Sequence, residues 1–485
     1  MKKISQDLWS FNTRDLMRSA GCPHCLTLAI AREKQVPGVL ETIEPFIAAP
    51  EGLAITYGEL YEQALENELR EQLGADFQKP EGDALSGTKD LMHQGIPVIY
   101  QGSLRQKYGR IEFSGRPDFL VRGDYQLEFR SGKLTAQKLP AGDQKRYIAW
   151  DAKLSSSAKP NYLLQIALYT DALIELDLQA EGEPGLILGS RELARFEQSE
   201  ILPAMRAARA ELAAAIENFD ETTSLAQLTL FCETKDLCKI CEYPALCEVS
   251  REKVDHLVQV AGINRSQIEK LQKSGIGTMA QLAKASESDR PAELLPHSFE
   301  RLRIQAKLQI DYKQTGQVSY LLLPDPEIKV LPPESEGDIF FDMEGFPYFP
   351  EKGGLEYLFG NTLRDGSFKA FFAHDRKEEK AAFENFMEFV LERLAQFPDA
   401  HVYHYAAYEL TALSRLAARH GVKEQEVTEL ISSGKMIDLY KVVRGSIMVS
   451  QPSYSIKKLE AFYSFDRKSK VLDAGSSIEE YDRYR

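Results

Sequence analysis

GRPDFL (Gly115–Leu120), WDAKL (Trp150–Leu154) and QIALY (Gln165–Tyr169) are the three stretches that decide the fold. Asp118 ends a Gly-Arg-Pro-Asp turn and enters an apolar run, and Asp151 lies within a second apolar run, YIAWDAKL. Both runs predict buried β-strands, and the apolar segment around QIALY predicts a helix. Strands followed by a helix predict an α/β core around the two acids.

The side chains in these stretches fall on shared faces. Asp151 and Lys153 are two residues apart, so strand geometry points both to one side. Gln165 and Tyr169 are four apart and share a helix face. An isolated Asp-x-Lys pair also occurs on strands for surface reasons, but the order and spacing of all three stretches are much more specific. We therefore predict that they form one site together with Asp118.

Phosphodiester cleavage explains this choice of residues. Mg²⁺ prefers carboxylate oxygens and keeps several waters, and it lowers the pKa of a bound water. Asp118 and Asp151 are expected to bind Mg²⁺ or Mn²⁺. Lys153 is expected to orient the attacking water or to neutralise developing charge. Gln165 and Tyr169 are expected to position the DNA strand or the lysine.

Length and composition predict a protein of several domains in the cytoplasm. The chain has 485 residues, with 43% hydrophobic and 27% charged residues, as soluble globular proteins have. No apolar run is long enough to span a bilayer, and the N-terminus lacks a signal peptide, so no membrane partner is expected. The net charge of -14 argues against a wholly basic nucleic-acid coat protein.

The cysteines are confined to two short segments. In a cytosolic chain, such clustering favours a metal site over disulfides, although Cys22 and Cys25 alone are also compatible with two buried small side chains. The six cysteines are Cys22, Cys25, Cys232, Cys238, Cys241 and Cys247.

GRPDFL, WDAKL and QIALY resemble the motifs of RecB-type PD-(D/E)xK nucleases, including CRISPR-associated RecB-like exonucleases. The resemblance implies a restriction-endonuclease-like core with metal-dependent nuclease activity. Members of this group usually carry a histidine on an upstream helix. Here the predicted helix is Ile55–Phe77, and Tyr61 stands at that place, followed by Glu62. Either Glu62 supplies the third metal ligand or the site is weakened.

The cysteines resemble the iron-sulfur clasp of the same nucleases, in which one cysteine before the core joins three after it. The resemblance implies a [4Fe-4S] cluster, and zinc is the alternative because four thiolates also bind zinc. Cys25 and Cys232 leave the ligand set open. The implied ligands are Cys22, Cys238, Cys241 and Cys247.

The middle of the chain resembles a helix-hairpin-helix module. Its hairpin is formed by Gly275, Ile276, Gly277 and Thr278, and the following helix start would offer N–H groups to a DNA phosphate. Residues 251–310 contain ten Lys/Arg and seven Asp/Glu, a local net charge of +3 that favours contact with nucleic acid. A small helical packing module is the alternative interpretation.

The last part of the chain resembles ribonuclease H-like 3'-5' exonucleases of the DEDD type. Asp342 and Glu344 alternate on a predicted strand, as a two-metal phosphodiesterase requires. The resemblance implies Glu409 as the acid of the second motif and Asp438 as a weaker candidate. The final motif of that family has no match, so we expect an incomplete domain with impaired activity.

These interpretations combine into an α/β protein with four segments. They are a RecB-like nuclease domain with the cysteine cluster (1–250), a helix-hairpin-helix-like module (251–320), a Pro-rich linker (321–336) and an incomplete ribonuclease H-like domain (337–485).

The arrangement resembles RecB-family nucleases, and it predicts a metal-dependent nuclease acting on single-stranded or end-containing DNA in repair, recombination or defence. Two alternatives remain: a DNA-binding scaffold subunit with decayed nuclease sites, and an iron-sulfur redox-sensing DNA-binding protein. Some relatives continue into a helicase. The sequence contains no P-loop, so a helicase partner would be a separate segment or protein.

Overall fold

Two units make up the part of the chain that the computed structural model describes. The first comprises Met1–Ser250 with Glu351–Gly353, and the second comprises Arg251–Pro350 with Gly354–Arg485. Within the described ranges, no helix combines the length and apolarity needed to cross a bilayer. The structure describes residues 1–5, 7–39, 49–228, 238, 241–351, 353–465, 471 and 474–485.

The first unit begins with two short strands and two consecutive helices. The Asn12 side chain accepts the Asp15 N–H and so caps the first helix, and Pro23 opens the second without loss of a helix hydrogen bond. These elements are β1 (Lys2–Lys3), β2 (Trp9–Phe11), α1 (Thr13–Gly21) and α2 (Pro23–Glu33).

The rest of the first unit mixes strands and helices, and its last helix runs into the second unit. The elements are α3 (Ala49–Leu73), β3 (Phe77–Gln78), α4 (Ala84–Gln94), β4 (Val98–Tyr100), β5 (Leu104–Tyr108), β6 (Ile111–Gly115), β7 (Phe119–Arg122), β8 (Tyr125–Arg130), β9 (Lys133–Lys138), β10 (Tyr147–Lys153), α5 (Pro160–Glu175), β11 (Gly185–Leu188), β12 (Leu193–Arg195), α6 (Gln198–Glu217), α7 (Leu225–Leu228) and α8 (Pro244–Lys253).

The main sheet of this unit has six strands in the order β12-β11-β10-β7-β4-β3. The central strand β10 pairs antiparallel with β7 and parallel with β11. In the antiparallel register Trp150 lies opposite Phe119. Asp151 and Asp118 follow this last pair on the two strands, and the Ala152 N–H donates to the Asp118 carboxylate, so the sheet brings the two segments together. The remaining strands form a four-stranded sheet, β1-β2-β6-β5, and the hairpin β8-β9.

Strand β10 is covered on both faces. Tyr147 and Ala149 belong to a buried cluster with residues of α5, whereas Ile148 and Trp150 belong to another with residues of α3. This alternation is the period of a strand between two helical layers, and it explains why the run reads as almost wholly apolar. Asp151 and Lys153 continue the face that carries Tyr147 and Ala149.

The second unit begins with a small helical module. Its core gathers apolar side chains around the fully buried Phe299. The stretch predicted to be a linker contains a strand, β13, which pairs antiparallel with β19 of the following domain. The elements are α9 (Arg265–Lys273), α10 (Met279–Lys284), α11 (Pro296–Thr315) and β13 (Tyr320–Leu322).

The rest of the second unit is built on a five-stranded sheet in the order β16-β15-β14-β17-β18. The first three strands are antiparallel, and β17 and β18 add in parallel to β14. A buried cluster joins β14 and β15 to α12 and α13. The elements are β14 (Ile339–Phe346), β15 (Leu355–Leu363), β16 (Phe368–Phe372), α12 (Arg376–Gln396), β17 (Val402–His404), α13 (Tyr408–His420), α14 (Glu424–Ser432), β18 (Met436–Asp438), α15 (Leu439–Ser446), β19 (Ile447–Val449), α16 (Ile456–Leu459) and α17 (Ala474–Tyr484).

Candidate functional site

Asp118, Asp151 and Lys153 meet where the pairing of β7 with β10 ends. The Oδ2 atom of Asp118 accepts the Ala152 N–H at 2.6 Å. Asp151 is only 1% exposed, and the Lys153 ammonium forms an ion pair with its Oδ2 atom. The structure therefore brings together the three residues to which the sequence assigns the chemistry.

The charges in this cluster shift each other's protonation. Burial and the carboxylates of Asp151 and Glu62 raise the pKa of Asp118 well above its usual range. Burial alone would lower the pKa of Lys153, but the Asp151 and Asp118 carboxylates raise it overall. Lys153 is therefore a fixed positive charge at neutral pH. Two acids lie near that ammonium and Glu62 acts on Asp118, an arrangement of charges that favours binding of a further cation.

Glu62 reaches the cluster from α3. Its Oε1 atom accepts a 2.8 Å hydrogen bond from Gln101 Nε2. Gln101 follows β4 with a positive φ of 50°, and its N–H donates to the Asp118 carbonyl at 2.8 Å. Gln101 thus fixes the side chain of Glu62 and the backbone of Asp118. Sequence reasoning missed it, and its only signal was its position at a strand end.

Tyr61, which stands where a metal-binding histidine was expected, is not aimed at the acids as a ligand. Its hydroxyl donates a hydrogen bond to the Leu188 carbonyl. Burial raises the pKa of the phenol, so the hydroxyl keeps its proton. Tyr61 therefore ties α3 to the end of β11, while its neighbour Glu62 faces the cluster.

Replacing Tyr61 with phenylalanine is expected to affect stability rather than chemistry. The Leu188 carbonyl would lose its donor, which should lower the free energy of unfolding by about 1–2 kcal/mol. Urea denaturation followed by tryptophan fluorescence measures this, since Trp9 and Trp150 both lie in the first unit. Normal stability combined with lost metal-dependent cleavage would show instead that Tyr61 acts in the reaction.

Gln165 and Tyr169 contact each other and the turn before Asp118. Gln165 Nε2 donates to the Tyr169 hydroxyl at 3.0 Å, and that hydroxyl donates to the Arg116 carbonyl at 3.1 Å. Tyr169 is 3% exposed. The two side chains share a helix face as predicted, and the Tyr169 hydroxyl contacts the backbone of the Gly-Arg-Pro-Asp turn. Tyr169 therefore holds the backbone that presents Asp118.

The donors of this cluster fit a hard divalent cation. The Oδ1 atom of the buried Asp151 accepts no hydrogen bond, whereas its Oδ2 atom contacts the Lys153 ammonium. Buried carboxylate oxygens without donors are rare unless a cation binds them. Among the residues described, no three His, Cys, Asp or Glu side chains are already gathered around one metal position. The Oδ2 atom of Asp151 contacts the Lys153 ammonium, and the Oδ2 atom of Asp118 accepts the Ala152 N–H.

Four of the cysteines pack in one buried cluster beside α2. The Sγ atoms of Cys25 and Cys241 lie 3.6 Å apart, and the Cys22 Sγ accepts the Cys25 N–H at 3.4 Å. The structure thus places Cys25, which the predicted ligand set omitted, against Cys241. Cys238 is half-buried, and Cys232 lies outside the described residues. The clustered thiols are those of Cys22, Cys25, Cys241 and Cys247.

A second group of acids lies on the five-stranded sheet. Partial burial and the Glu409 carboxylate raise the pKa of Asp342. Partial burial and the Asp342 carboxylate raise the pKa of Glu344 to about 7. Glu409 is 4% exposed, and its Oε2 atom lies 3.5 Å from Nδ1 of His404. Asp342 is therefore near enough to both Glu409 and Glu344 for their charges to interact.

Asp438 has a different role from these acids. Its Oδ1 atom accepts the N–H groups of Tyr440 and Lys441 at the start of α15, and that of Ala406 at 3.1 Å. Such capping stabilises the helix start. Asp438 lies opposite His404 in the β17-β18 register, next to the acids. Its carboxylate is engaged by backbone donors, so it organises the loop after β17.

The predicted phosphate-binding hairpin is closed by its own residues. The Gly277 and Thr278 N–H groups both donate to Gln281 Oε1, at 2.8 and 3.1 Å. Ile276 is buried in the core of the module. Gly275 has a φ of 89°, which explains the glycine at this turn. The hairpin exists as predicted, but the N–H groups expected to hold a phosphate are already used.

Comparison with known proteins identifies one region. A family model of the ribonuclease H superfamily matches residues 339–485. The match agrees with the strand order found there and confirms the predicted ribonuclease H-like domain, a fold that is generally that of nucleases and often uses divalent metals such as Mg²⁺. No curated protein matches the chain. No solved structure matches it either.

Proposed function

We propose that the protein is a divalent-metal-dependent DNA nuclease whose main catalytic centre lies in the first unit. The observation that carries this proposal is the buried Asp151 carboxylate, whose Oδ1 atom accepts no hydrogen bond while its Oδ2 atom pairs with the charged Lys153. A buried carboxylate oxygen without a donor costs stability unless a cation binds it. Glu62 supplies a further oxygen donor from α3.

Each residue has a distinct part in the proposed reaction. Asp118, Asp151 and Glu62 would hold the metal ion, which lowers the pKa of water and offsets charge on the phosphate when bound. Lys153 stays protonated and donates to a phosphate oxygen or to the attacking water. Tyr169 fixes the Arg116 carbonyl and so keeps the turn before Asp118 in place. Precise placement of this kind contributes directly to rate.

The ribonuclease H-like domain supports the nuclease assignment but is the weaker candidate for the main chemistry. Two-metal phosphodiesterases surround their ions with several carboxylates. Here Asp342, Glu344 and Glu409 lie together, but the Asp438 carboxylate is used as a helix cap. Three acids remain at this sheet, the same number as in the first unit, and we assign cleavage to the first unit because the Lys153 ammonium lies beside its acids.

The direct test is a cleavage assay on anaerobically purified protein. End-labelled single- and double-stranded DNA and matched RNA would be incubated with Mg²⁺, with Mn²⁺ or with EDTA. We expect DNA products only in the presence of metal. A mobility shift without products under every condition would replace the nuclease assignment with a DNA-binding scaffold. Products from RNA alone would correct the substrate.

We further propose that the cysteine cluster holds a [4Fe-4S] cluster near α2, with zinc as the alternative. The contact between Cys25 and Cys241, with Cys22 and Cys247 in the same hydrophobic cluster, supports a soft metal site. The predicted set is Cys22, Cys238, Cys241 and Cys247, and the contact between Cys25 and Cys241 makes Cys25 a rival to Cys22.

Replacing Cys241 with serine is expected to remove the bound metal, because this thiol belongs to either ligand set. Iron, sulfide and zinc analysis with visible absorbance would measure the loss. Parallel Cys22→Ser and Cys25→Ser variants decide which of these two residues is a ligand. Metal-free wild-type protein would contradict the proposal, and zinc without iron would select the alternative.

A further inference from the structure

A cleft of about 850 Å³ lies in the second unit, between the helical module and the ribonuclease H-like domain. One wall is formed by the start of α9 and by α11, including Asn264 and Arg301. The other is formed by the loop after β17 and by α15, including Ala406, Tyr440 and Arg444. The closed hairpin at 274–278 does not contribute to it. The cleft is thus a separate feature of the module.

The walls are joined by one buried and one exposed hydrogen bond. Gln305 of α11 is 2% exposed, and its Nε2 donates to the Val449 carbonyl of β19 at 2.8 Å. Arg301 Nη2 donates to the Arg444 carbonyl at 3.0 Å. A buried amide that spans two elements holds them in one arrangement, because breaking it leaves polar groups unpaired. The cleft is therefore formed before any ligand enters.

Two arginines of the cleft, Arg301 and Arg444, differ from other arginines of the helical module in their ion pairing. Arg265, Arg290 and Arg303 of the same module each pair with a glutamate. In the part of the chain that the structure describes, neither Arg301 nor Arg444 has a carboxylate partner within ion-pair distance. Exposed arginines gathered at a concave surface attract anions and bind phosphate well, because their guanidinium groups present several donors.

Three other charged groups line the cleft: Lys441, Asp438 and Glu327. Lys441 also lines the cleft and lies 3.7 Å from the Asp438 carboxylate, which is itself engaged by backbone N–H groups. Glu327 is the remaining carboxylate on the lining. Three cations therefore face two acids, one of which is already engaged. The local balance is positive within a chain whose net charge is -14.

The cleft also adjoins the second acidic group. Ala406 lines it and has a φ of 77°, a conformation that is costly for a residue other than glycine. Its N–H donates to Asp438, and its carbonyl accepts a 2.6 Å hydrogen bond from His404 Nδ1. His404 lies beside Glu409. The cleft wall is thus joined through this strained loop to the acids on the sheet.

We propose that this cleft binds a single strand of nucleic acid by its phosphate backbone, next to the acidic group of the ribonuclease H-like domain. Arg301 and Arg444 contact phosphates, and Tyr440 offers a ring on which a base stacks. The inference deepens the proposed function, on which it rests, by giving the second unit the task of holding the strand.

Binding in EDTA tests this site separately from cleavage. Fluorescence anisotropy would follow labelled single-stranded DNA and RNA of the same sequence with the full chain and with the Arg301→Ala/Arg444→Ala variant. Loss of two phosphate contacts should raise Kd roughly tenfold, and should reduce the slope of log affinity against log salt by about 1.4. The Arg301→Lys/Arg444→Lys variant should recover most of the binding, because it keeps the charges.

The matched control is Arg303→Ala/Arg364→Ala, which removes the same charge from arginines that are already paired. It should bind like wild type. An unchanged Kd and salt slope in the cleft variant, an equal loss in the control, or no binding of either strand by wild type would each overturn the proposal. Failure of cleavage with normal binding would instead count against the nuclease assignment alone.

Photo-crosslinking locates the strand. With halogenated pyrimidines in the labelled strand, peptides that contain Tyr440 or His297 of the cleft lining should carry the crosslink. Crosslinks confined to 274–278 would overturn the proposal that the strand binds in the cleft and would place it at the hairpin. Preference between the DNA and RNA arms then shows which nucleic acid the cleft takes.

Discussion

Replacing Asp151 with asparagine should abolish metal-dependent cleavage while the protein stays folded. The amide keeps the shape of the side chain but removes the charge that a divalent cation needs. A bound metal contributes several kcal/mol to the transition state, so the rate should fall by a factor of about 10³ or more. Single-turnover cleavage of an end-labelled DNA strand measures the effect.

The fold should survive this change for a definite reason. Asp151 is 1% exposed and its Oδ1 atom accepts no hydrogen bond, so burying its charge costs stability in the absence of metal. Removing the charge relieves that cost, although Lys153 loses its nearest partner. The two effects oppose each other, and we expect only a small change in Tm.

A surface aspartate provides the control. Asp177 is 87% exposed at its side chain and pairs only with Arg146. Its asparagine variant should cleave DNA like wild type and should be purified in the same way, which excludes a contaminating nuclease. Wild-type rates in the Asp151→Asn variant, together with loss in Asp177→Asn, would contradict the assigned site.

The sequence predicts the centre of the site because the relevant geometry is local. A period of two places Asp151 and Lys153 together on one strand, and a period of four places Gln165 beside Tyr169 on one helix. These relations need no knowledge of the remaining fold. The structure shows both of them, in the ion pair and in the 3.0 Å hydrogen bond.

Contacts between distant segments could not be predicted in the same way. Whether Tyr61 or Glu62 faces the acids depends on how α3 is rotated against the sheet, and adjacent helix positions point about 100° apart. The packing turns Glu62 toward Gln101 and Tyr61 toward Leu188. The strand pattern likewise does not predict that Asp438 caps a helix, because this role depends on the turn that follows β18.

The same limit applies to the stabilising centre of the ribonuclease H-like domain. Glu379 reads in the sequence as one of many surface acids near the start of a helix, yet it is 0% exposed. Its carboxylate accepts hydrogen bonds from the Glu356 N–H at 2.7 Å and from Arg376 at 2.6 Å. Arg419 and His420 add contacts at 3.0 and 2.8 Å. One acid therefore joins α12 to β15 and α13.

Replacing Glu379 with glutamine should destabilise this domain by about 3 kcal/mol, because removing one member of a buried charged network leaves the others uncompensated. Hydrogen exchange by mass spectrometry should show lost protection in α12 and α13. The unfolding transition reported by Trp9 and Trp150 should remain unchanged, since both lie in the first unit. The Glu388→Gln variant, an exposed change on the same helix, should leave protection intact.

The loss of stability caused by Glu379→Gln should also depend on pH. The sign of this dependence follows from the shift in the pKa of the Glu379 carboxyl. Burial alone would raise the pKa of Glu379, but the Glu356 N–H and Arg376 lower it overall. A folded pKa below the unfolded value means that the ionised group stabilises the domain at neutral pH. That contribution is retained above an unfolded pKa of about 4.3 and is lost as the pH falls through the folded value. The difference in protection between wild type and Glu379→Gln should therefore be full at pH 7 and shrink below about pH 4.

A difference that grew on acidification would show that Glu379 is protonated in the native domain, and the proposed network would then be wrong.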